Sequence, residues 1–476
     1  MMKHRIEKLK TQLLIVLVIL SLVQLGIHWN QQAQGFLSRF VGSFFGGSDF
    51  PTTNVDKTKF LYFMPKDITV SVGQTNSRWR FTKGDTYYTS IWDDVRNHYL
   101  PAIIKKKPAK VLSKEQWESV IAKSCIRIEF NVKWPNDVIY WLEDVNPGDN
   151  RSFEAVKSIA ILPQEDVNET INVLYIYDEK QVYQYQVDVE KNYLPKRFYS
   201  ELVKNLRSQE VPSLSLLTSV TNFKASEEIL VSLERRMTEF PMLSLEIPES
   251  IRLNRENIES ESIQDQILLE QKVTLTAKYN EVAGEAWFTD TENLYKLYSN
   301  GLLQYNYLST PNRGAGSASS AFSQALSFIE LRRHLLGDVD LSLSYFKKDE
   351  QDRYYEMHFS YQLDGIPIHY GGAQSTDRIS APLIIKANAD RVLECSWVIR
   401  SITRTGMTGE YSLYFPNIPI PIAYLSDFQK ESNLFTRIEA GYLFDLNQTL
   451  SPRMTPYWII SNNEKDYVFP LSSKED

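Results

Sequence analysis

Cysteine is nearly absent: Cys125 and Cys395 are the only two in 476 residues, 270 apart, each inside an apolar, strand-like stretch. That count excludes a disulfide framework. It also excludes a cysteine-based zinc site, which needs paired cysteines or histidines at close spacing. The two read as buried thiols in separate domains. A basic excess is missing as well. Net charge is −7, and because Lys3, Arg5, Lys8 and Lys10 against Glu7 give the first ten residues +3, the remainder carries −10. Nucleic-acid phosphates demand a basic face, so no nucleic-acid partner is expected. The run Lys105-Lys106-Lys107 reads as a solvated surface patch.

Catalytic signatures are missing too. There is no G-x-S-x-G elbow, no H-E-x-x-H and no Ser-x-x-Lys in a convincing setting. "NRGAGSASS" contains Gly314 and Gly316 but lacks the Gly-Lys-Ser/Thr ending of a phosphate loop, and it reads as a linker. Among six histidines, His98 lies four after Asp94 on an expected helix. A pair is short of the three protein ligands a catalytic metal usually needs. If Asp364-Gly365 makes a two-residue hairpin turn, Leu363 pairs with Ile366, Ser360 opposes His369, and His358 lies diagonally on the same face. Without a third ligand these read as ordinary strand residues. No catalytic residue, metal site or cofactor is expected, although 59 acidic residues leave room for an unmarked carboxylate pair.

What is present is a folded, modular chain: 43% of residues are apolar and 12% aromatic, and the length suits several domains. Behind a basic decapeptide, "TQLLIVLVILSLVQLGIHW" (11–29) contains no charge. As a helix it reaches roughly 28 Å, close to the roughly 30 Å hydrocarbon core. A cleaved signal needs small residues near the cut, and the one candidate, Ala33-Gln34-Gly35, lies well past the apolar run. The segment therefore reads as a retained single-pass anchor with a cytoplasmic N-terminus and the bulk of the chain outside. Leu17, Ser21, Gln24 and His28 share one helical face. Gln24 and His28 fit first an interfacial edge at the outer head groups, and the stripe as a whole fits contact with another membrane helix. "GFLSRFVGSFFGG" then suggests an amphipathic turn or two lying in the interface.

Beyond it, "FLYFMPKDITVSV", "RWRFTKG", "CIRIEFNVKW" and "NVLYIYDEKQVYQYQV" predict strands, the last hinged at Asp178-Glu179. "DTYYTSIWDDVRNHYLPAII" predicts a helix, and Ser113 with Gln116 has capping-box spacing for another. "YLPKRFYSELVKNLRSQ" and "ASEEILVSLERRMTEF" read as helical, and 256–266 as an exposed connection. Asn300-Gly301 predicts a two-residue type I′ turn that pairs Tyr298 with Leu303 and Leu294 with Tyr307. "AFSQALSFIELRRHLL" is an amphipathic helix followed by a run of strands, which makes an α+β class. The expected organisation is a tail (1–10), transmembrane helix (11–29), juxtamembrane linker (30–50), and N-terminal (51–205), middle (206–310) and C-terminal (311–476) α+β domains.

In this order, the anchor, "CIRIEFNVKWPNDVIYW", the paired strands, "LYSNGLLQYNY", "ALSFIELRRHLL", "MHFSYQLDGIPIHY" and "AGYLFDLNQTLSPRMTPYWII" resemble the YycH family. The resemblance implies one transmembrane helix, matching Leu13 to Ile27 here, and a three-domain α+β exterior region of mainly antiparallel sheets. It implies no enzymatic activity. It also implies partnership with a YycI-like protein and with the membrane sensor histidine kinase that controls cell-wall metabolism in Gram-positive bacteria. "GFLSRFVGSFFGG" and "FPNIPIPIAY" depart from that pattern. Two other readings stand beside it: an anchored, glycosidase-like cell-envelope enzyme, and an exterior ligand sensor with an apolar pocket.

Overall fold

The computed structural model describes residues 55–73, 77–145, 153–163, 171–188, 198–226, 228–259, 262–267, 276–309, 314–371, 381–420, 434–444, 451–462 and 465–473. No helix among them is long and apolar enough to cross a membrane. The 11–29 segment, with its Leu17, Ser21, Gln24 and His28 face, lies outside the described residues.

Alternation in Cys125–Pro135 organises the first sheet. Ile126, Ile128, Phe130, Val132 and Trp134 point to one side and are buried, which leaves Cys125, Arg127 and Glu129 on the other. This strand is fifth of nine, between Asp67–Val72 and Ala155–Leu162; Ser77–Phe81, Leu214–Leu216 and Leu230–Ser232 extend one flank, and Ile171–Tyr177, Gln181–Asp188 and Lys110–Ser113 the other. The apolar side is covered by the helix Thr86–Asp94, which runs through a π turn (Val95–Tyr99) into Leu100–Ile104. A second helix, Val55–Tyr62, lies where "FLYF" predicts strand. Short apolar runs do not distinguish the two, and here Phe63 must stack on Phe130 and meet Trp92 and Trp134 edge-on or tilted, all within 5.5 Å.

The second large sheet holds thirteen strands. Its centre is Tyr355–Leu363, alternating buried and half-buried, with Met357, Phe359 and Tyr361 inward. Asp340–Lys348 pairs along one edge of it. Along its other edge, Leu383–Ala387 pairs with the first half and Ile366–Tyr370 with the end. The first branch continues through Val392–Val398 to the meander Leu302–Tyr307, Asn293–Tyr298, Glu285–Thr289 and Thr276–Asn280, and so runs across residue 310. The second continues, in parallel, to Leu434–Phe444 and then to Pro456–Asn462 and Asp466–Pro470. A third sheet joins Met237–Glu246 to Ser401–Ser412 and Ser451–Met454. The architecture is mixed α+β with mostly antiparallel sheets.

Ala318–Glu330 is the shared core element. Ser317 caps it by accepting from the Ser320 N–H at 3.1 Å. Its small residues Ala321 and Ala325 allow close approach, and it packs against Val55–Tyr62 and Asn136–Leu142 on one side and the second sheet on the other. Phe322 meets Trp134 at 5.3 Å and Phe346 at 6.1 Å, so the apolar core is continuous from the first sheet to the second. Tyr62 bonds Glu330, Lys83 bonds Asp340 at 2.5 Å, and Asn131 donates to Ser342 at 3.1 Å across the same boundary.

Three further local expectations are corrected. The segment 225–240 forms the strand Leu230–Ser232 and the start of Met237–Glu246 instead of a helix, because each finds a sheet edge to join. Residues 256–266 include two short helices, and Ile263 and Ile267 anchor the second of them in the core. At Asn300-Gly301 the register is one residue away from the expected one: Leu297 pairs with Leu303 and Tyr295 with Tyr305. Gly301 alone takes positive φ (75°), and its N–H donates to the Tyr298 carbonyl, which gives a three-residue loop. The observed register puts two fully buried leucines opposite each other, whereas the expected one would set half-buried Tyr298 against Leu303.

Candidate functional site

The histidines singled out by sequence are held apart. Leu363 pairs with Ile366 as expected, with Asp364 and Gly365 both at positive φ. His358, however, bonds Glu356 at 2.6 Å and meets the Tyr345 ring at a tilt, while His369 meets Glu439 at 3.3 Å on the far strand. Burial pushes the Asp94 carboxyl up, with His98 opposing it. Among the described residues, no group of three His, Cys, Asp or Glu is arranged to hold a metal. Both cysteines are buried. Burial pushes the Cys125 thiol up despite the Ser71 hydroxyl at 3.3 Å, and it pushes Cys395 to about 12, so neither has thiolate character at neutral pH.

The concentrated chemistry lies on the polar side of the first sheet. Pairing places Thr69 directly between Arg80 and Arg127 on the two neighbouring strands. One step along, Ser71 lies between Arg78 and Cys125, and Asp67 lies opposite Glu129. A sheet side with this many charges normally faces water. Here Glu228, Ile229 and Leu230 cover it together with Thr436, Arg437, Ile438 and Glu439 of the second sheet, enclosing a cavity of about 40 Å³.

Buried charges persist only when paired. Glu228 takes Arg127 directly and Arg78 at 3.6 Å. Glu129 accepts from Ser158 at 2.5 Å and has Lys157 at 3.8 Å; burial nevertheless keeps its carboxyl above the ordinary range. Glu439 behaves oppositely. Burial alone would raise it, but Arg437 at 3.4 Å and the His369 hydrogen bond outweigh that and hold it at about 2. Arg437 in turn bonds Ser461 at 2.8 Å and Asp466 at 3.4 Å. The result is a charged seam joining the first and last parts of the chain. Its sequence signal is the alternation "IRIE" and "RWR", which assigns the charges to one side without saying which strands adjoin.

A second concavity, of about 320 Å³, opens on the side of the second sheet away from Ala318–Glu330, among Gln304, Asn306, Ile384, Lys386 and Ser396.

The crystal structure of YycH from Bacillus subtilis superposes with a TM-score of 0.54, covering 85% of this chain and 95% of that one at 14% identity. The fold is that of YycH. A crystal structure of an uncharacterized protein from Eubacterium rectale covers 55% of this chain and 90% of its own at 11% identity, but its TM-score of 0.28 is too low to carry an argument. No protein-family model matches the chain, and no curated protein matches it. At 14% identity the likeness to YycH establishes the scaffold, and residue roles rest on the geometry of the seam itself.

Proposed function

We propose that this chain is a non-enzymatic, membrane-anchored regulator of a two-component sensor histidine kinase that controls cell-wall metabolism. It would act with a YycI-like partner, through a single transmembrane helix at 11–29 and an extracytoplasmic body. The observation that carries this reading is the YycH fold along 85% of the chain. The charge-free segment 11–29 supplies the lipid-bilayer anchor, and its Leu17, Ser21, Gln24 and His28 face is the proposed contact side. The physics is differential binding: a partner helix shifts a two-state kinase only by as much as it prefers one state.

The test is photo-crosslinking in the membrane from positions 17, 21, 24 and 28, with co-purification of the kinase. Capture of the kinase from these positions, and loss of kinase-dependent reporter output when 11–29 is replaced by an unrelated span, is the expected result. If that replacement leaves output and co-purification unchanged, the regulatory reading fails. If only the joint change of Ser21, Gln24 and His28 to Leu is silent, the polar stripe is an interfacial edge and the broader reading stands.

A further inference from the structure

We propose that the cavity between the first and second sheets is a binding site for a free tetrahedral oxyanion of the size of inorganic phosphate, held by Arg80, Thr69, Arg127 and Arg437 with Lys66 beside them. The register places Thr69 between Arg80 and Arg127. Neighbouring strands lie about 4.8 Å apart, so two guanidinium side chains flank one hydroxyl from backbones roughly 10 Å apart. Arg437 approaches from the facing strand.

Two observations point to a ligand. The first is an orphaned set of donors. Thr69 is 3% exposed, and among the described residues its Oγ1 has no hydrogen-bond partner, nor has the buried Nε of Arg127. Leaving such groups unmade is costly, and native structures rarely tolerate it. The second is a pair of cations with no close counter-charge. Glu228 is engaged by Arg127 and Arg78, and Glu439 by Arg437 and His369, while Arg437 also reaches Asp466. Arg80 and Lys66, which line the cavity too, form no ion pair among the described residues. An oxyanion would accept from the Thr69 hydroxyl and the Arg127 Nε–H and supply these two cations with a counter-charge.

The volume sets the ligand's size. About 40 Å³ is room for roughly three waters at 10–15 Å³ each, which matches one small oxyanion. Because the cavity walls come from 66–127, 228–230 and 436–439, a bound ion would also brace the first sheet against the last. The site is independent of the kinase reading.

The test uses the purified full-length chain. Calorimetric titration with inorganic phosphate should show saturable binding at one site, and phosphate should raise the melting temperature above that in sodium chloride of matched ionic strength. Thr69→Val keeps the buried shape and removes the hydroxyl; Arg80→Gln removes a half-buried charge. Each should weaken phosphate binding about ten-fold or more, the loss expected for one hydrogen bond to a charged group. Equal melting temperatures in phosphate and chloride with no heat of binding would overturn the proposal, leaving the cavity to water. Binding that survives both substitutions would overturn it equally. Should Thr69→Val fail to fold, Arg80→Gln decides alone.

Discussion

Replacing Glu439 by Gln probes the charged seam most directly. In the folded chain its carboxyl is held at about 2, against an ordinary value of 4.5, because Arg437 and the His369 hydrogen bond outweigh the burial that would raise it. A tenfold change in an ionisation equilibrium is worth about 1.4 kcal/mol, so ionised Glu439 contributes at most about 3 kcal/mol to stability at neutral pH. A fifth of the side chain still meets solvent, which places the contribution below that ceiling. The sign follows from linkage. The folded value is depressed, so the contribution is complete above the unfolded value near 4.5 and is lost as pH falls from there through about 2. Glutamine mimics the protonated acid. The variant should therefore show at pH 7 the deficit that the parent acquires only in strong acid, and the two should converge below about pH 2. Urea midpoints followed by circular dichroism between pH 7 and pH 2, in buffers free of oxyanions, measure this. A deficit at pH 7 under about 1 kcal/mol, the worth of an exposed ion pair, would refute the reasoning. So would a larger deficit that stays constant down to pH 2.

Phe322→Ala should cost about 3–5 kcal/mol in urea unfolding, because the ring is fully buried against Trp134, Trp141 and Phe346; a loss under about 1 kcal/mol would mean that the helix does not bridge the two sheets. Gly365→Ala and Gly406→Ala both place a side chain at positive φ, but a Cβ at 365 would meet the Lys83 backbone nitrogen at 2.7 Å, whereas at 406 no atom of the described residues lies within 4 Å. The first should lower the melting temperature clearly more than the second, and equal losses would show that only the φ matters. A maleimide at pH 8 should leave Cys125 and Cys395 unmodified in the native chain and label both in denaturant, counted by mass; rapid native labelling of either would contradict its burial.

Much of the fold is legible wherever one face of a strand is buried. The patterns at Cys125–Pro135 and Tyr355–Leu363 show it, and so does Asp364-Gly365, whose positive φ values match the hairpin that the dipeptide predicts. Legibility fails where a partner distant in the chain decides. Residues 225–240 look helical, yet their last four residues begin the strand Met237–Glu246, which pairs along Ser401–Ser412, about 165 residues away. At Asn300-Gly301 the dipeptide announces a turn correctly, but loop length is set by the demand that Leu297 and Leu303 reach the core together.

The charged seam is illegible for a related reason. "RWR", "ITVSV" and "IRIE" each announce alternation, and each by itself implies a solvated polar side. Only the pairing order brings Arg80, Thr69 and Arg127 into one row, and only the arrival of Glu228–Leu230 and of Leu434–Phe444, the latter more than 300 residues on, buries that row. Motif reasoning looks for ligands close in sequence and so turns to His358 and His369, which the sheet assigns to different carboxylates. Burial is what changes the status of these residues. On an exposed sheet a threonine between two arginines is unremarked surface, whereas covered by Arg437 and Glu439 it must find a hydrogen-bond acceptor or carry the cost of having none.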